Sequence, residues 1–188
     1  MIFTPTIVAQ MSAFFINKES GSISVLKLMK LLYLADRLSI DLHNEPITWD
    51  RMVSMDQGPV LSRTLDYING CKNPEQSSGW DEWIKDRDEY ELGLAKTHFS
   101  REDLNYLSDA DIEILETIWA DFGHMNKWQI RDYTHESCSE WKNPNGSMAP
   151  IDYEDILRAL GRSSDEITSF YHYIREQQKL DRILSNNG

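Results

Sequence analysis

The 188-residue chain has few of the features that mark secreted or membrane-spanning proteins. Its two cysteines, Cys71 and Cys138, are too few for a disulfide framework, and no charged and then apolar leader stands at the N-terminus. The longest apolar-leaning run, Val25–Ala35, contains two lysines and is much shorter than the roughly 18 residues that a membrane span needs. We therefore expect a cytoplasmic protein with reduced thiols.

Basic residues are also scarce. The chain has 31 acidic residues against 19 basic ones and a formal net charge of −12. Such a protein would bind nucleic acid against phosphate repulsion, so we expect no direct DNA or RNA partner. Residues 75–121 hold 14 acidic and four basic residues, which is ten of the twelve surplus negative charges. This segment is either a solvated face that keeps the protein soluble or a docking surface for a basic partner.

Common signatures of catalysis and metal binding are missing. The chain contains no Gly-rich phosphate loop, no Gly-x-Ser-x-Gly sequence and no His-Glu-x-x-His sequence. The densest group of possible zinc ligands is His135–Cys138, but no second ligand pair accompanies it. A nucleophilic pair of Cys138 with a histidine stays open, because such partners meet in space. We expect no metal and no cofactor.

Helical periodicity dominates what the sequence does contain. An apolar stripe from Leu28 to Leu42 predicts a central core helix that ends before Pro46. We also expect Gly58 to need a backbone conformation that side chains resist, and Pro59 to start the next helix. The other predicted helix starts follow from a first-turn proline and from N-cap residues. They are Pro5, Ser100, Ser108, Asn126, Asp152 and Ser163.

Two segments favour strands over helices. Ile47–Met55 is rich in β-branched and aromatic residues, and Asp88–Lys96 alternates loosely, so the two are expected to pair. The sequence thus predicts a mainly α fold of the α+β class, a compact single-domain helical fold with a small antiparallel β-sheet or hairpin. We expect the domain to span residues 1–178 and the polar tail 179–188 to fray.

The order of several short motifs resembles a known family. Lys27–Asp36 reads KLMKLLYLAD and precedes Pro46–Ile47 and Gln57–Val60. Further motifs are Leu107–Asp109, Tyr133–His135, Trp141 and Pro150–Ile151. Together, over about residues 5–160, they resemble the Panacea domain, the SocA-like antitoxin domain of bacterial and phage toxin–antitoxin systems. The residues that match the family pattern are Lys27, Lys30, Tyr33, Asp36, Gln57, Gly58, Pro59, Thr134, His135 and Trp141.

This resemblance implies recognition rather than catalysis. It implies an antitoxin, with a role in phage defence, that neutralises a cognate toxin by direct protein contact. Family members are paired with diverse toxins, many of which inhibit translation. The alternative is a proteolytic adaptor that delivers a toxin or other cargo to a cytoplasmic AAA+ protease, whose unfoldase would be a second partner. An enzyme ranks third. For His135 we expect a hydrogen-bonded, orienting role near Trp141.

The acidic segment supplies the candidate partner-binding residues. Trp80 and Trp83 lie in it without a clear helical stripe, and exposed aromatic residues beside charges often anchor protein interfaces. Core packing is the other interpretation of these tryptophans. We expect a basic toxin to dock on a face formed by Trp80, Asp81, Glu82, Trp83, Asp86 and Asp88.

Overall fold

The computed structural model describes residues 2–71 and 79–185, with side chains described up to residue 180. The described residues form eight helices and five short strands. The helices are α1 (Pro5–Lys18), α2 (Val25–His43), α3 (Ser62–Ile68), α4 (Trp80–Trp83), α5 (Asp109–Phe122), α6 (Lys127–Ser137), α7 (Tyr153–Ala159) and α8 (Ser164–Ser185). The strands are β1 (Ser22–Ser24), β2 (Met52–Met55), β3 (Gly58–Leu61), β4 (Glu91–Gly93) and β5 (Ala149–Pro150). The expected fold, mainly helical with a small antiparallel sheet component, is confirmed.

Helix α2 lies at the centre of the fold. It contacts α1, α5, α6 and α7 as well as β1 and β3. Its apolar residues from Leu28 to Ala35 are almost fully buried, as the sequence stripe predicts. The helix ends at His43, because Asn44 adopts the left-handed conformation with φ of 59°.

The strands form two separate antiparallel sheets. One has the order β3-β2-β5, with Val53 opposite both Val60 and Pro150. In the other, β1 pairs with β4 and places Ile23 opposite Leu92. The expected pairing of Ile47–Met55 with Asp88–Lys96 is therefore wrong. The hairpin neighbour β3 occupies one edge of β2, and the buried Ile23 and Leu92 pair instead.

The expected helix start at Pro59 is also wrong, because Gly58–Leu61 is a strand. A two-residue turn joins β2 to β3. The start of helix α3 is set further along by a residue before β2, Asp50. Its carboxylate accepts hydrogen bonds from the amides of Arg63 at 3.0 Å and Thr64 at 2.8 Å. These bonds satisfy donors of the first helical turn, so the helix starts at Ser62.

Three of the six expected helix starts are confirmed by capping contacts, and those at Pro5 and Asp152 are confirmed without a side-chain cap. Ser108 with Asp111 and Asn126 with Gln129 form reciprocal capping boxes. Ser163 and Glu166 exchange the same pair of bonds at the start of α8. Ser100 differs from these, because residues 101–103 form a turn instead of a helix.

Trp80 and Trp83 are buried, each with 2% of its surface exposed. The ring of Trp80 lies 5.9 Å from that of Tyr67, and the ring of Trp83 lies 5.3 Å from that of Phe99. The interpretation of the two tryptophans as exposed anchors is therefore wrong, and core packing describes them. They share the short helix α4 with two acidic residues, so one face of α4 packs inward and the other faces solvent.

The last helix, α8, continues through residues 179–185, part of the segment that we expect to fray, and residues 186–188 lie outside the described part. Within the described residues, no helix combines the length and apolar character needed to cross a bilayer.

Burial of Trp83 predicts a stability effect. Replacing Trp83 with Ala removes a large side chain packed on Phe99 and should lower the free energy of unfolding by about 3 to 5 kcal/mol. The control is Glu82→Ala, an exposed neighbour on the same helix, which should change it by less than about 0.5 kcal/mol. Urea denaturation followed by tryptophan fluorescence and circular dichroism measures both. Equal midpoints for the two variants would contradict the buried position of Trp83.

Candidate functional site

A buried amine joins α2 to the β2–β3 hairpin. Lys30 has no exposed surface, and its Nζ donates a hydrogen bond to the backbone oxygen of Pro59 at 2.8 Å. Burial lowers the pKa of Lys30 to about 7. None of the described carboxylates forms an ion pair with it. The backbone oxygen of the hairpin is therefore the principal partner of this amine.

Gly58 lies directly beside this amine. It has φ of +97°, so the expectation of a backbone conformation that side chains resist is confirmed. A Cβ atom at this position would be 2.8 Å from Lys30 Nζ and 2.9 Å from Thr134 Oγ1. The lack of a side chain at Gly58 thus lets α2, β3 and α6 approach each other. We call the residues Lys30, Gly58, Pro59 and Thr134 the lysine junction.

A second buried polar cluster lies further along α2. Glu140 is 4% exposed and accepts hydrogen bonds from Tyr33 Oη at 2.7 Å and from Arg37 Nε at 2.6 Å. Burial raises the pKa of Tyr33 well above its ordinary value, and the negative charge of Glu140 raises it further. The phenol thus stays a hydrogen-bond donor to the carboxylate. This cluster ties the segment after α6 to the central helix.

Asp36, on the same helix, fixes the chain that follows α2. Its carboxylate accepts hydrogen bonds from the amides of Ile47 at 2.9 Å and Thr48 at 3.0 Å, and from the Thr48 hydroxyl. Burial raises the pKa of Asp36 to about 7 despite these bonds. Lys27 has a comparable structural role, because its Nζ contacts Glu19 at 2.6 Å and the Gly123 oxygen at 2.8 Å.

The hairpin tip is held from its other side by residues after Thr134. The rings of His135 and Trp141 stack at a centroid distance of 4.0 Å, and Trp141 Nε1 donates to the Met55 oxygen at 2.9 Å. The expected proximity of His135 and Trp141 is confirmed. The expected hydrogen bonding of His135 is not found, because its buried Nε2 has no partner among the described residues. Burial, with Lys30 and Arg131 nearby, lowers the pKa of His135.

A groove opens between α2, the β2–β3 hairpin and the start of α6. Its volume is about 730 Å³, and we call it the α2–α6 groove. Lys30 is buried beneath its floor, and Arg87, Tyr90, Trp128 and Arg131 line its rim. The rim is fixed by Arg131, whose Nη1 donates to Gln57 Oε1 at the hairpin tip over 3.3 Å.

The expected acidic docking residues lie on a neighbouring surface. Asp81, Glu82, Asp86 and Asp88 are exposed, and we call them the acidic face. Asp86 and Asp88 flank Arg87 in the sequence, so this end of the acidic face borders the α2–α6 groove. The structure therefore separates the six candidate residues into exposed carboxylates and two core tryptophans.

The geometry does not favour Cys138 as a nucleophile paired with a histidine. Cys138 is buried, and burial raises its pKa to about 12, so its thiol stays protonated and lacks the reactivity of a thiolate. In the parts of the chain that the structure describes, no three His, Cys, Asp or Glu side chains come together as a metal site.

Comparison with known proteins decides the family. The model of the family described as Antitoxin SocA-like, Panacea domain, matches residues 28–142, more than half of the chain. The chain belongs to the SocA-like Panacea antitoxin family. No curated protein and no solved structure matches it. Membership of this family gives the Panacea domain a general role in a toxin–antitoxin system.

The motif residues of this Panacea domain lie mostly inside the fold. Only Gln57 is exposed, whereas His135 and Trp141 are partly buried. The others are buried and hold α2, the hairpin and α6 together. These are Lys27, Lys30, Tyr33, Asp36, Gly58, Pro59 and Thr134.

Sequence reasoning missed Glu140 and three of the groove's cations, Arg87, Lys127 and Arg131. Glu140 lies 103 residues from Arg37, so no local pattern points to their ion pair. The spacing of Lys127 and Arg131 could have predicted a shared basic surface, since residues four apart lie on one face of a helix. Their cationic groups lie 5.3 Å and 5.0 Å from the ring of Trp128.

The close packing at Gly58 predicts a position-specific cost. Gly58→Ala should lower the free energy of unfolding by about 1 to 3 kcal/mol more than Gly70→Ala. Gly70 is a matched control, because its φ is also positive at +80° but a Cβ added there would have no atom within 4 Å. Chemical denaturation measures both values. Equal losses would mean that backbone strain alone, and not the lysine junction, requires glycine at position 58.

Proposed function

We propose that this Panacea domain is an antitoxin that neutralises a cognate toxin by direct protein–protein binding. The observation that carries the proposal is the family match over residues 28–142. The burial of most motif residues supports it, because a rigid scaffold leaves recognition to the surrounding surface. The protonated thiol of Cys138 adds to the case for recognition over catalysis.

We further propose that the toxin is a basic protein that inhibits translation. The acidic face supports this, since its four carboxylates are exposed in a chain of net charge −12. Opposite charge on a partner would speed the encounter and orient it. Covering a basic, nucleic-acid-binding surface of the toxin would block access to RNA by the same contacts.

Co-expression tests the proposal. The product of the adjacent gene, produced alone, should arrest growth, and this Panacea domain should restore growth and co-purify with it as a stable complex. Growth restored without a physical complex would contradict direct neutralisation. Loss of the toxin that depends on a cytoplasmic protease would favour the adaptor mechanism instead.

A charge-reversed variant sharpens this test. Changing Asp81, Glu82, Asp86 and Asp88 to Lys should slow association steeply at low salt, with a smaller effect at high salt because screening cuts in beyond about 8 Å at physiological ionic strength. The matched control reverses four exposed acids elsewhere, Glu113, Asp121, Glu136 and Glu176, for the same change in net charge. Stopped-flow binding at two salt concentrations compares them. Equal rates for both variants would show that net charge, and not the acidic face, steers the toxin.

A further inference from the structure

We infer that the α2–α6 groove receives a segment of the toxin that carries both apolar side chains and carboxylates. The inference rests on the proposed function and adds a second, oppositely charged half to the toxin-binding surface. It follows from the lining of the groove, its charge, its aromatic rim and its position beside the acidic face.

The lining of the groove suits apolar side chains. Val25, Met29, Val60 and Leu65 contribute to its walls, in a volume of about 730 Å³. An open cavity of this size and lining accommodates several side chains of a docked segment and removes their surface from water. Burial of this kind supplies affinity, whereas the polar groups at the rim supply specificity.

The charge of the groove is opposite to that of the chain. Its charged lining residues are four cations and one acid, Lys30, Arg87, Lys127, Arg131 and Asp56. A second cavity of about 690 Å³ on the hairpin has the reverse balance, with Asp50, Asp66 and Asp152 against Arg51. The positive lining thus distinguishes this groove from the hairpin cavity in a protein whose net charge is −12. Carboxylates are the complementary groups for a protein segment that enters it.

Lys30 lies beneath the groove and does not present its amine to a docked segment. It is fully buried, donates to a backbone oxygen and has no carboxylate partner among the described residues. Burial lowers the pKa of Lys30 to about 7, so the positive charge that a docked segment meets comes from Arg87, Lys127 and Arg131, which are exposed or partly exposed.

The rim presents two exposed aromatic side chains. Trp128 is 50% exposed and Tyr90 is 71% exposed, and both line the groove. The Asn126 side chain accepts hydrogen bonds from the amides of Trp128 and Gln129, which fixes the start of α6. Trp, Tyr and Arg are the residue types most enriched among the side chains that dominate binding energy.

The occupant is the toxin rather than a second copy of this chain. Two copies with a net charge of −12 each repel one another on approach. A toxin with a basic body and an acidic, apolar segment matches both surfaces at once. Arg87 of the groove lies between Asp86 and Asp88 of the acidic face, so the two halves are contiguous and their opposite charges set the orientation of the partner.

Binding measurements with variants of the full chain test the inference. The probe is the purified product of the adjacent gene. Lys127→Glu and Trp128→Ala should each weaken its binding at least tenfold, and the loss for Trp128→Ala should lie mainly in faster dissociation. Glutamate suits the first turn of α6, so Lys127→Glu preserves the helix. The matched controls are Arg158→Glu on α7 and Tyr106→Ala, at a residue that is 56% exposed, and these should bind like the wild type.

Photocrosslinking identifies what occupies the groove. p-Benzoylphenylalanine placed at position 128 should form an adduct with a toxin segment rich in apolar and acidic residues. An adduct with a basic toxin segment, or with a second copy of this chain, would overturn the inference. Wild-type affinity of both groove variants would overturn it as well while leaving the antitoxin function intact. A wild-type chain that forms no complex would overturn the proposed function, and the groove inference with it.

Discussion

The hydrogen bond from the buried amine of Lys30 to the Pro59 oxygen constrains much of the fold around it. A buried amine without a partner is costly, so α2 and the hairpin must keep this contact in register. Gly58 and Thr134 then lie against the amine, where a side chain at position 58 would collide with both. One polar group with no exposed surface thereby holds together three elements that lie far apart in the sequence.

The surface features follow from this arrangement. With the hairpin held against α2 and α6, the rim residue Arg131 contacts Gln57 at the hairpin tip, and the groove opens between the three elements. The acidic face borders it through Arg87, so surfaces of opposite charge meet on one side of the molecule. A scaffold built from buried motif residues, which leaves recognition to the surrounding surface, suits the direct toxin binding proposed for this domain.

Much of the helical structure could be predicted because its signals are local. The capping pairs Ser108 with Asp111 and Ser163 with Glu166 lie three residues apart and mark helix starts directly. Strand pairing could not be predicted, because β2 takes one partner next to it and another about 95 residues away. The groove cations come from three distant segments, and the burial of Trp80 and Trp83 depends on rings elsewhere in the chain. Those rings are Tyr67 and Phe99.

Native-state hydrogen exchange of Lys30→Met tests the central role of the lysine junction most directly. Methionine keeps an unbranched apolar chain but leaves the Pro59 oxygen without its donor, a loss of about 1 to 3 kcal/mol. Amides of Met52–Leu61 and Lys127–Ser137 should exchange faster together, while those of α1 stay protected. The matched control is Lys27→Met, which removes a buried amine that contacts Glu19 and Gly123 instead. Unchanged exchange in both segments, or the same pattern in the Lys27→Met control, would contradict the account.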